Sequence, residues 1–146
     1  TEIIKELSAV KRNLSIIFHY FCICVSIFTM KKIYFLSTCS SCTRIMRDLG
    51  TALDVFEKID IKLRTLTFNE IDQMRDIAGS YEAIFSKRAI KYKALKDESL
   101  QESDYRKLIH DEYTFLKRPV CIVDEQIFIG NRPSNILALK AHLTKG

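Results

Sequence analysis

The spacing of apolar and polar residues predicts a strand, a helix and a second strand in the first patterned part of the chain. Residues 32–36 form a short apolar run typical of a buried strand, and residues 37–41 are small and polar, as in a strand-to-helix turn. Residues 45–49 place apolar side chains at helical spacing, and Gly50 is suited to end that helix. Residues 55–61 alternate apolar and polar positions, which predicts the second strand.

A block of helices is predicted next. Thr67 and Glu70 form the signature of a capping box, in which the hydroxyl and the carboxylate satisfy the first amides of a helix that runs to Gly79. Apolar residues between positions 81 and 95 continue at helical spacing and predict a second helical face, and residues 105–113 predict a third.

The end of the chain predicts a hairpin and a last helix. Residues 120–123 and 126–129 have strand composition and are separated by Asp-Glu, and Pro133 starts the terminal helix. The order is strand, helix, strand, helices, hairpin, helix. With a right-handed crossover between the first two strands, this order predicts an α/β fold: a thioredoxin-like mixed sheet flanked by helices, with a helical insertion between the second and third strands.

Residues 1–29 differ from the rest of the chain. Basic residues precede an apolar run over positions 14–28, which is shorter than the about 20 residues of a membrane-spanning helix. No small-residue cleavage site follows this run. We expect residues 1–29 to be an apolar extension outside the functional domain, and residues 30–146 to form that domain. A membrane anchor, or a helix packed on the domain, stays open as an alternative.

Composition narrows the classes of function. Four glycines allow no phosphate loop, and three dispersed histidines allow no helical two-histidine zinc motif. The net charge of +5, with basic and acidic residues interleaved, favours a small anion over DNA as the ligand. Five cysteines with a single Cys-x-x-Cys indicate a reducing compartment, so we expect a cytoplasmic protein.

Cys39 and Cys42, at the predicted strand-to-helix turn, form the clearest chemical motif. A thiol at a helix N-terminus meets unpaired amide N–H groups, which lower its pKa from about 8.5 to about 3.5–7.5. Cys39 is therefore the candidate nucleophile, and Cys42, one turn deeper, is placed to resolve a Cys39 adduct as an internal disulfide. The alternative is that both cysteines are structural. A zinc site would also need Cys121 and a histidine, and Cys121 lies in an apolar strand, so no metal is expected.

Three motifs occur in order along the chain. They are Ser-Thr-Cys-Ser-Ser-Cys at 37–42, Phe-Ser-Lys-Arg-Ala-Ile-Lys-Tyr-Lys-Ala-Leu at 85–95, and Leu-Lys-Arg-Pro-Val at 116–120 followed by Gly-Asn-Arg-Pro at 130–133. On these motifs the chain, from residue 30 to about residue 143, resembles the arsenate reductase and Spx-type regulator family, a branch of the thioredoxin superfamily.

The resemblance implies an activity and roles for named residues. In family members that reduce arsenate, a thiolate attacks the oxyanion, arginines hold it, and glutathione with glutaredoxin completes the reduction to arsenite. By position, Cys39 would be the nucleophile, and Arg118 and Arg132 would hold the anion. Arg88 would be a third binding arginine, and Pro119 the structural cis-proline beside the redox cysteine. A planar guanidinium suits this role because it donates two parallel hydrogen bonds to an oxyanion.

We therefore predict an arsenate reductase-like thiol oxidoreductase that acts on arsenate or on a related oxyanion or disulfide. No bound cofactor is expected, and glutathione with glutaredoxin, or thioredoxin, would supply the electrons. The alternative is an Spx-type redox-sensing transcriptional regulator that binds RNA polymerase without turnover. The Cys-x-x-Cys and Arg88 favour the regulator, and Arg132 before a proline favours the reductase.

Two interpretations of the basic residues remain. Arg88 with Lys87, Lys91 and Lys93 fits a solvated basic helix face as well as an anion site. We do not expect direct DNA binding, because the sequence has no helix-turn-helix and no concentrated basic stripe. A membrane partner is not expected either.

Overall fold

The computed structural model describes residues 30–145, so the prediction for residues 1–29 lies outside the described part of the chain. The strands in this range are β1 (Lys31–Phe35), β2 (Glu57–Asp60), β3 (Val120–Val123) and β4 (Gln126–Ile129). The α-helices are α1 (Ser40–Leu49), α2 (Phe68–Ala78), α3 (Tyr81–Ile84), α4 (Glu102–Asp111) and α5 (Pro133–Thr144). Short 3-10 helices cover Gly50–Leu53, Ile90–Leu95 and Tyr113–Phe115. None of the described helices is long and apolar enough to cross a membrane.

The four strands form one mixed sheet in the order β2-β1-β3-β4. β1 is parallel to β2, and β3 is antiparallel to both β1 and β4. Tyr34, Val120 and Ile129 are in register, so the end of β1, the start of β3 and the end of β4 meet at one edge of the sheet. The predicted mixed sheet with flanking helices is confirmed. α2, α3 and α4 lie between β2 and β3 in the chain.

The sheet separates two apolar cores, because neighbouring residues of a strand point to opposite faces. Ile33 and Cys121 belong to the core that includes Ile45 of α1 and Leu139 of α5. Tyr34, Val120 and Ile122 belong to the core on the other face, which α2, α3 and α4 cover. All four residues of β3 are buried, as expected for a central strand with helices on both faces.

The predicted capping box at the start of α2 is present. The Thr67 hydroxyl accepts a hydrogen bond from the amide of Glu70 at 3.2 Å, and the Glu70 carboxylate accepts one from the amide of Thr67 at 2.9 Å. Arg64 adds two further hydrogen bonds to the same carboxylate. Gly79 ends the helix at a φ of 97°, in the left-handed region where glycine avoids a steric penalty.

Replacing Thr67 by alanine is expected to lower the free energy of unfolding by about 1 kcal/mol, because the amide of Glu70 loses its partner at the helix start. Urea denaturation followed by circular dichroism measures the change. Thr65→Ala is the matched control, since Thr65 is exposed and lies outside the capping box. An equal loss in both variants would show that the hydroxyl of Thr67 contributes nothing specific.

The prediction of one helical face over residues 81–95 is wrong. α3 ends at Ile84, and Phe85 adopts an extended conformation that forms a β-bridge with Leu116. The bridge breaks the helix because it takes the amide of Ser86 to the carbonyl of Phe115 at 2.6 Å. The chain then turns and enters the 3-10 helix Ile90–Leu95. The second strand is predicted over residues 55–61, but β2 covers only Glu57–Asp60, so residues 55, 56 and 61 lie outside it.

Candidate active site

A cleft of about 820 Å³ opens at the edge of the sheet where β1, β3 and β4 meet. Its size is within the range of small-molecule sites, about 300–1,000 Å³. Four segments line it: the start of α1 at Cys39, residues 80–89, residues 116–118 before β3, and residues 129–132 after β4. The cleft thus brings Cys39 together with three arginines that are far apart in the sequence.

Cys39 is the residue that precedes the first turn of α1. Its backbone is extended, with φ −96° and ψ 113°, and its carbonyl accepts the amide of Thr43 at 3.0 Å. Its thiol therefore lies at the end of the helix where amide N–H groups point outward without partners in the helix. Cys39 is partly buried and lines the cleft, which leaves its sulfur accessible to a ligand.

The surroundings of Cys39 favour its thiolate. Burial opposes the ionisation of Cys39. Four groups outweigh burial and hold the pKa of Cys39 below its ordinary value: the amide of Cys42, the Arg118 guanidinium, the Cys42 thiol and the amide of Ser41. The cause is the one expected from the sequence, a helix N-terminus, with Arg118 as a second contributor.

The other two described cysteines lie away from solvent. Cys42, on the first turn of α1, is fully buried, and burial together with the nearby Cys39 raises its pKa to about 11. Cys121 in β3 is 2% exposed, and burial together with Cys42 raises its pKa to about 12. All three thiols are free. Of these three thiols, Cys39 is therefore the one that ionises most readily.

Arg118 approaches the thiol from the start of β3. Its side chain is partly buried, and one terminal nitrogen donates to the carbonyl of Thr114 at 3.4 Å. Its Nε is buried and has no hydrogen-bond partner among residues 30–145. A buried N–H of this kind ordinarily has a partner, and this one has none in the described part of the chain. The following peptide bond, Arg118–Pro119, is cis.

Arg132 lines the cleft from the start of α5. Gly130 makes the turn after β4 at a φ of 87°, and its amide donates to the carbonyl of Pro119 at 2.8 Å. The side-chain amide of Asn135 donates to the carbonyl of Gly130 at 2.8 Å. These bonds fix the loop that carries Arg132 beside the segment that carries Arg118. Pro133 occupies the first turn of the helix, as predicted.

Arg88 reaches the cleft from a turn rather than from a helix. Residues 86–89 form a turn closed by the amide of Ala89 and the carbonyl of Ser86 at 3.2 Å. Arg88 is exposed and lines the cleft. The break in the helix at Phe85 places residues 86–89 in this turn.

The structure adds one cation that the sequence motifs did not single out. Lys117 lines the cleft, and its ammonium donates to the carbonyl of Ala83 at 2.8 Å. Burial and the charges of Arg132 and Lys87 lower the pKa of Lys117, and Glu82 opposes the shift. Lys117 precedes Arg118 in the Leu-Lys-Arg-Pro motif, so only its place in the motif could have identified it.

The lining is strongly cationic. Arg88, Arg118, Arg132 and Lys117 line the cleft, and the Glu82 carboxylate in the wall is paired with Lys87. Such a charge balance is suited to a small oxyanion and disfavours a cation. Within residues 30–145, no group of three or more His, Cys, Asp or Glu side chains is placed to hold a metal ion.

The lowered pKa of Cys39 predicts selective alkylation. At pH 7 we expect iodoacetamide to modify Cys39 well before Cys42 or Cys121, because only the thiolate is a nucleophile. The rate should fall as the pH drops through the depressed pKa of Cys39 and should level off above it. Peptide mass spectrometry after timed quenching measures the rate at each cysteine. A Cys39 rate that still rises steeply above about pH 8.5, as for a free thiol, would contradict the account.

A mixed sheet with helices on both faces, a cysteine at the N-terminus of the helix after β1 and a cis-proline before β3 are the features of a thioredoxin-like fold. The sequence model of the ArsC family matches residues 34–139. The chain belongs to the ArsC family, within the thioredoxin superfamily. No match was found among curated proteins.

Solved structures show the same fold. An arsenate reductase from Vibrio cholerae is 18% identical, with a TM-score of 0.65 over 75% of this chain and 97% of the other. An arsenate reductase related protein from Brucella melitensis is 18% identical, with a TM-score of 0.60 over 75% of this chain and 92% of the other. A possible arsenate reductase from Streptococcus mutans is 25% identical, with a TM-score of 0.59 over 71% and 92%.

Proposed function

We propose that this chain is an arsenate reductase-like thiol oxidoreductase in which Cys39 is the nucleophile. One observation carries the proposal: the thiol with the lowered pKa lies in a cleft with three arginines, one of which contributes to that lowered pKa. This supports a site in which a nucleophile and anion-binding groups lie together before substrate arrives. This is the arrangement that electrostatic catalysis on an oxyanion requires.

Arg118 and Arg132 hold the arsenate oxygens, with Arg88 as a third guanidinium. Their fixed charge stabilises the anion without a proton to lose. The Cys39 thiolate attacks arsenic and forms a sulfur–arsenic bond. One arsenic–oxygen bond breaks, and that oxygen takes up protons and leaves as water.

Cys42 completes the reduction. Its thiol loses a proton and its sulfur attacks the sulfur of Cys39, forming a disulfide and breaking the sulfur–arsenic bond. The electron pair of that bond stays on arsenic, which leaves as arsenite. The charge of Cys39 is one cause of the raised pKa of Cys42, after burial, and adduct formation removes that charge. Attack by Cys42 therefore becomes easier once Cys39 has reacted.

An external thiol system then reduces the disulfide. Glutathione with glutaredoxin, or thioredoxin, is the electron donor in this proposal, and no bound cofactor takes part. The chain would work in the cytoplasm, where such systems keep thiols reduced. Glutathione can also replace Cys42 by attacking the Cys39 adduct directly.

A second candidate function follows from the same cysteine pair. Cys42 is one turn from Cys39 on α1, and both thiols are free, so the pair can oxidise and be reduced as a switch without turnover. A regulator of this kind would act on RNA polymerase.

The experiment that separates the reductase from the switch is arsenate-dependent NADPH oxidation by the full chain, coupled through glutathione, glutaredoxin and glutathione reductase. An arsenate-dependent rate supports the reductase, whereas no arsenate-dependent rate, in protein whose Cys39 and Cys42 still oxidise and are reduced reversibly, supports the switch.

A further inference from the structure

One wall of the cleft continues onto an exposed surface of a single charge sign. Residues 86–96 contain five basic residues and no acidic one. We call the exposed side chains of this segment the basic rim: Lys87, Arg88, Ile90, Lys91, Lys93 and Lys96. The mechanism uses only Arg88 of this set.

The 3-10 helix decides which side chains face outward. Residues three apart lie on the same side of such a helix. Ala89, Tyr92 and Leu95 are three apart, and all pack against the core of α2, α3 and α4. The residues between them are therefore directed to solvent, and Ile90 is 84% exposed.

Internal ion pairs neutralise only part of the rim. Lys87 pairs with Glu82, and Lys91 pairs with Glu112. Lys93 and Lys96 form no ion pair with any residue from 30 to 145, and neither does Arg88. Ile90 sits among these charges, directly after Ala89, which lines the cleft. The rim therefore offers an exposed apolar side chain, with unpaired positive charges in the same segment, next to a wall of the cleft that Cys39 also lines.

We infer that the basic rim docks the protein that returns electrons to Cys39, and that this partner is an acidic protein dithiol of the thioredoxin type. The inference rests on the proposed function, because it assigns a partner to the same site. An apolar anchor within a charged surround is a common form of protein interface, and the charge sets the association rate with an acidic partner. Contact at Ile90 would bring such a partner to the mouth of the cleft.

The composition of the basic rim favours a protein over a nucleic acid as its binding partner. Single-stranded nucleic acids bind exposed aromatic rings on which bases stack. The aromatic residue of the rim helix, Tyr92, packs inward against Phe85, with ring centroids 5.7 Å apart. Within residues 86–96, Ile90 is the only large apolar side chain that is highly exposed. One such side chain provides little apolar area for binding to a membrane surface.

The docked reaction is a two-step thiol exchange. The partner's first thiolate attacks the sulfur of Cys39 in the Cys39–Cys42 disulfide, and Cys42 leaves as a thiolate that takes up a proton. The partner's second thiol loses its proton and attacks the mixed disulfide, which releases the Cys39 thiolate. The chain gains two electrons, and the partner leaves as its own disulfide.

The test measures the reduction of the oxidised full chain by two donors. One is thioredoxin of net negative charge, kept reduced by its reductase and NADPH, and the other is dithiothreitol. Alkylation quench and peptide mass spectrometry report the state of Cys39 and Cys42, so arsenate turnover is not needed. The variant is Ile90→Glu with Lys93→Glu. The matched control is Leu137→Glu with Lys140→Glu, on α5 at the opposite face of the sheet, where both residues are exposed.

We expect the rim variant to lower the second-order rate with thioredoxin about tenfold and to leave the dithiothreitol rate unchanged. The wild-type rate with thioredoxin should fall between about 50 mM and about 300 mM NaCl, and the control should match wild type. The inference is overturned if thioredoxin reduces the wild type no faster than dithiothreitol does, or if the variant loses no rate. It is also overturned if the rim variant changes only the binding of a labelled oligonucleotide. Absence of arsenate turnover would instead count against the proposed function and leave this result standing.

Discussion

Replacing Cys39 by serine is expected to lower arsenate-dependent turnover by at least about 10³-fold, which is the largest single effect in this protein. Serine keeps the size and the place at the start of α1, but its hydroxyl does not ionise at neutral pH. The sulfur–arsenic adduct then cannot form, and no later step can proceed. The coupled NADPH assay measures the loss, with the rate without arsenate subtracted.

Cys42→Ser and Cys121→Ser are the matched controls for this prediction. Cys42→Ser should keep turnover when glutathione is present, because glutathione can attack the Cys39 adduct, and should lose it when thioredoxin is the only donor. Cys121→Ser should keep the wild-type rate per folded molecule, since that thiol is buried in β3 and takes no part in the reaction. Equal turnover in wild type and Cys39→Ser would disprove the assignment of the nucleophile.

Arg118→Met should have the second largest effect, a fall in kcat/KM of about 10²–10³-fold, the usual loss for one donor that stabilises developing negative charge. Methionine preserves much of the length of the side chain and removes the guanidinium. Two functions are lost together, because Arg118 both faces the anion and helps to lower the pKa of Cys39. The pKa of Cys39, measured by the pH dependence of alkylation, should therefore rise in the variant.

Two further variants separate charge from geometry at Arg118. Arg118→Lys keeps a positive charge but cannot donate a parallel pair of hydrogen bonds, so an intermediate loss of kcat/KM is expected, with a smaller rise in the pKa of Cys39. Arg44→Met removes an exposed arginine from α1, outside the cleft, and should leave both values unchanged. An Arg118→Met variant with kcat/KM within twofold of wild type would remove Arg118 from the mechanism.

Local signals account for the parts of the fold that the sequence predicted correctly. The capping box at Thr67 and the glycines that end α1 and α2 act within a few residues, so their spacing alone places the helix ends. The segment over 81–95 is different. Its apolar spacing fits one helix, but the extended Phe85 pairs with Leu116, thirty-one positions later in the chain. Because the paired residues are so far apart in the chain, the local pattern of polar and apolar residues cannot predict their pairing.

The candidate active site also combines features set by local sequence with features set by long-range contacts. The position of Cys39 before a helix could be predicted because the thiol and the amides that lower its pKa belong to one turn of chain. The convergence of Arg88, Arg118 and Arg132 depends on the sheet register and on the turn at residues 86–89, which local patterns do not specify. Lys117 was missed because its proximity to the cleft arises from its bond to Ala83, on a different segment.

The most direct test of arsenate reduction at Cys39 is the amount of arsenite formed by the reduced full chain in the coupled glutathione and glutaredoxin assay. We expect one arsenite for each NADPH oxidised, with both signals absent when arsenate is omitted. NADPH oxidation without arsenite, or no oxidation by protein in which Cys39 and Cys42 still oxidise and are reduced reversibly, would show that the chain is not an arsenate reductase.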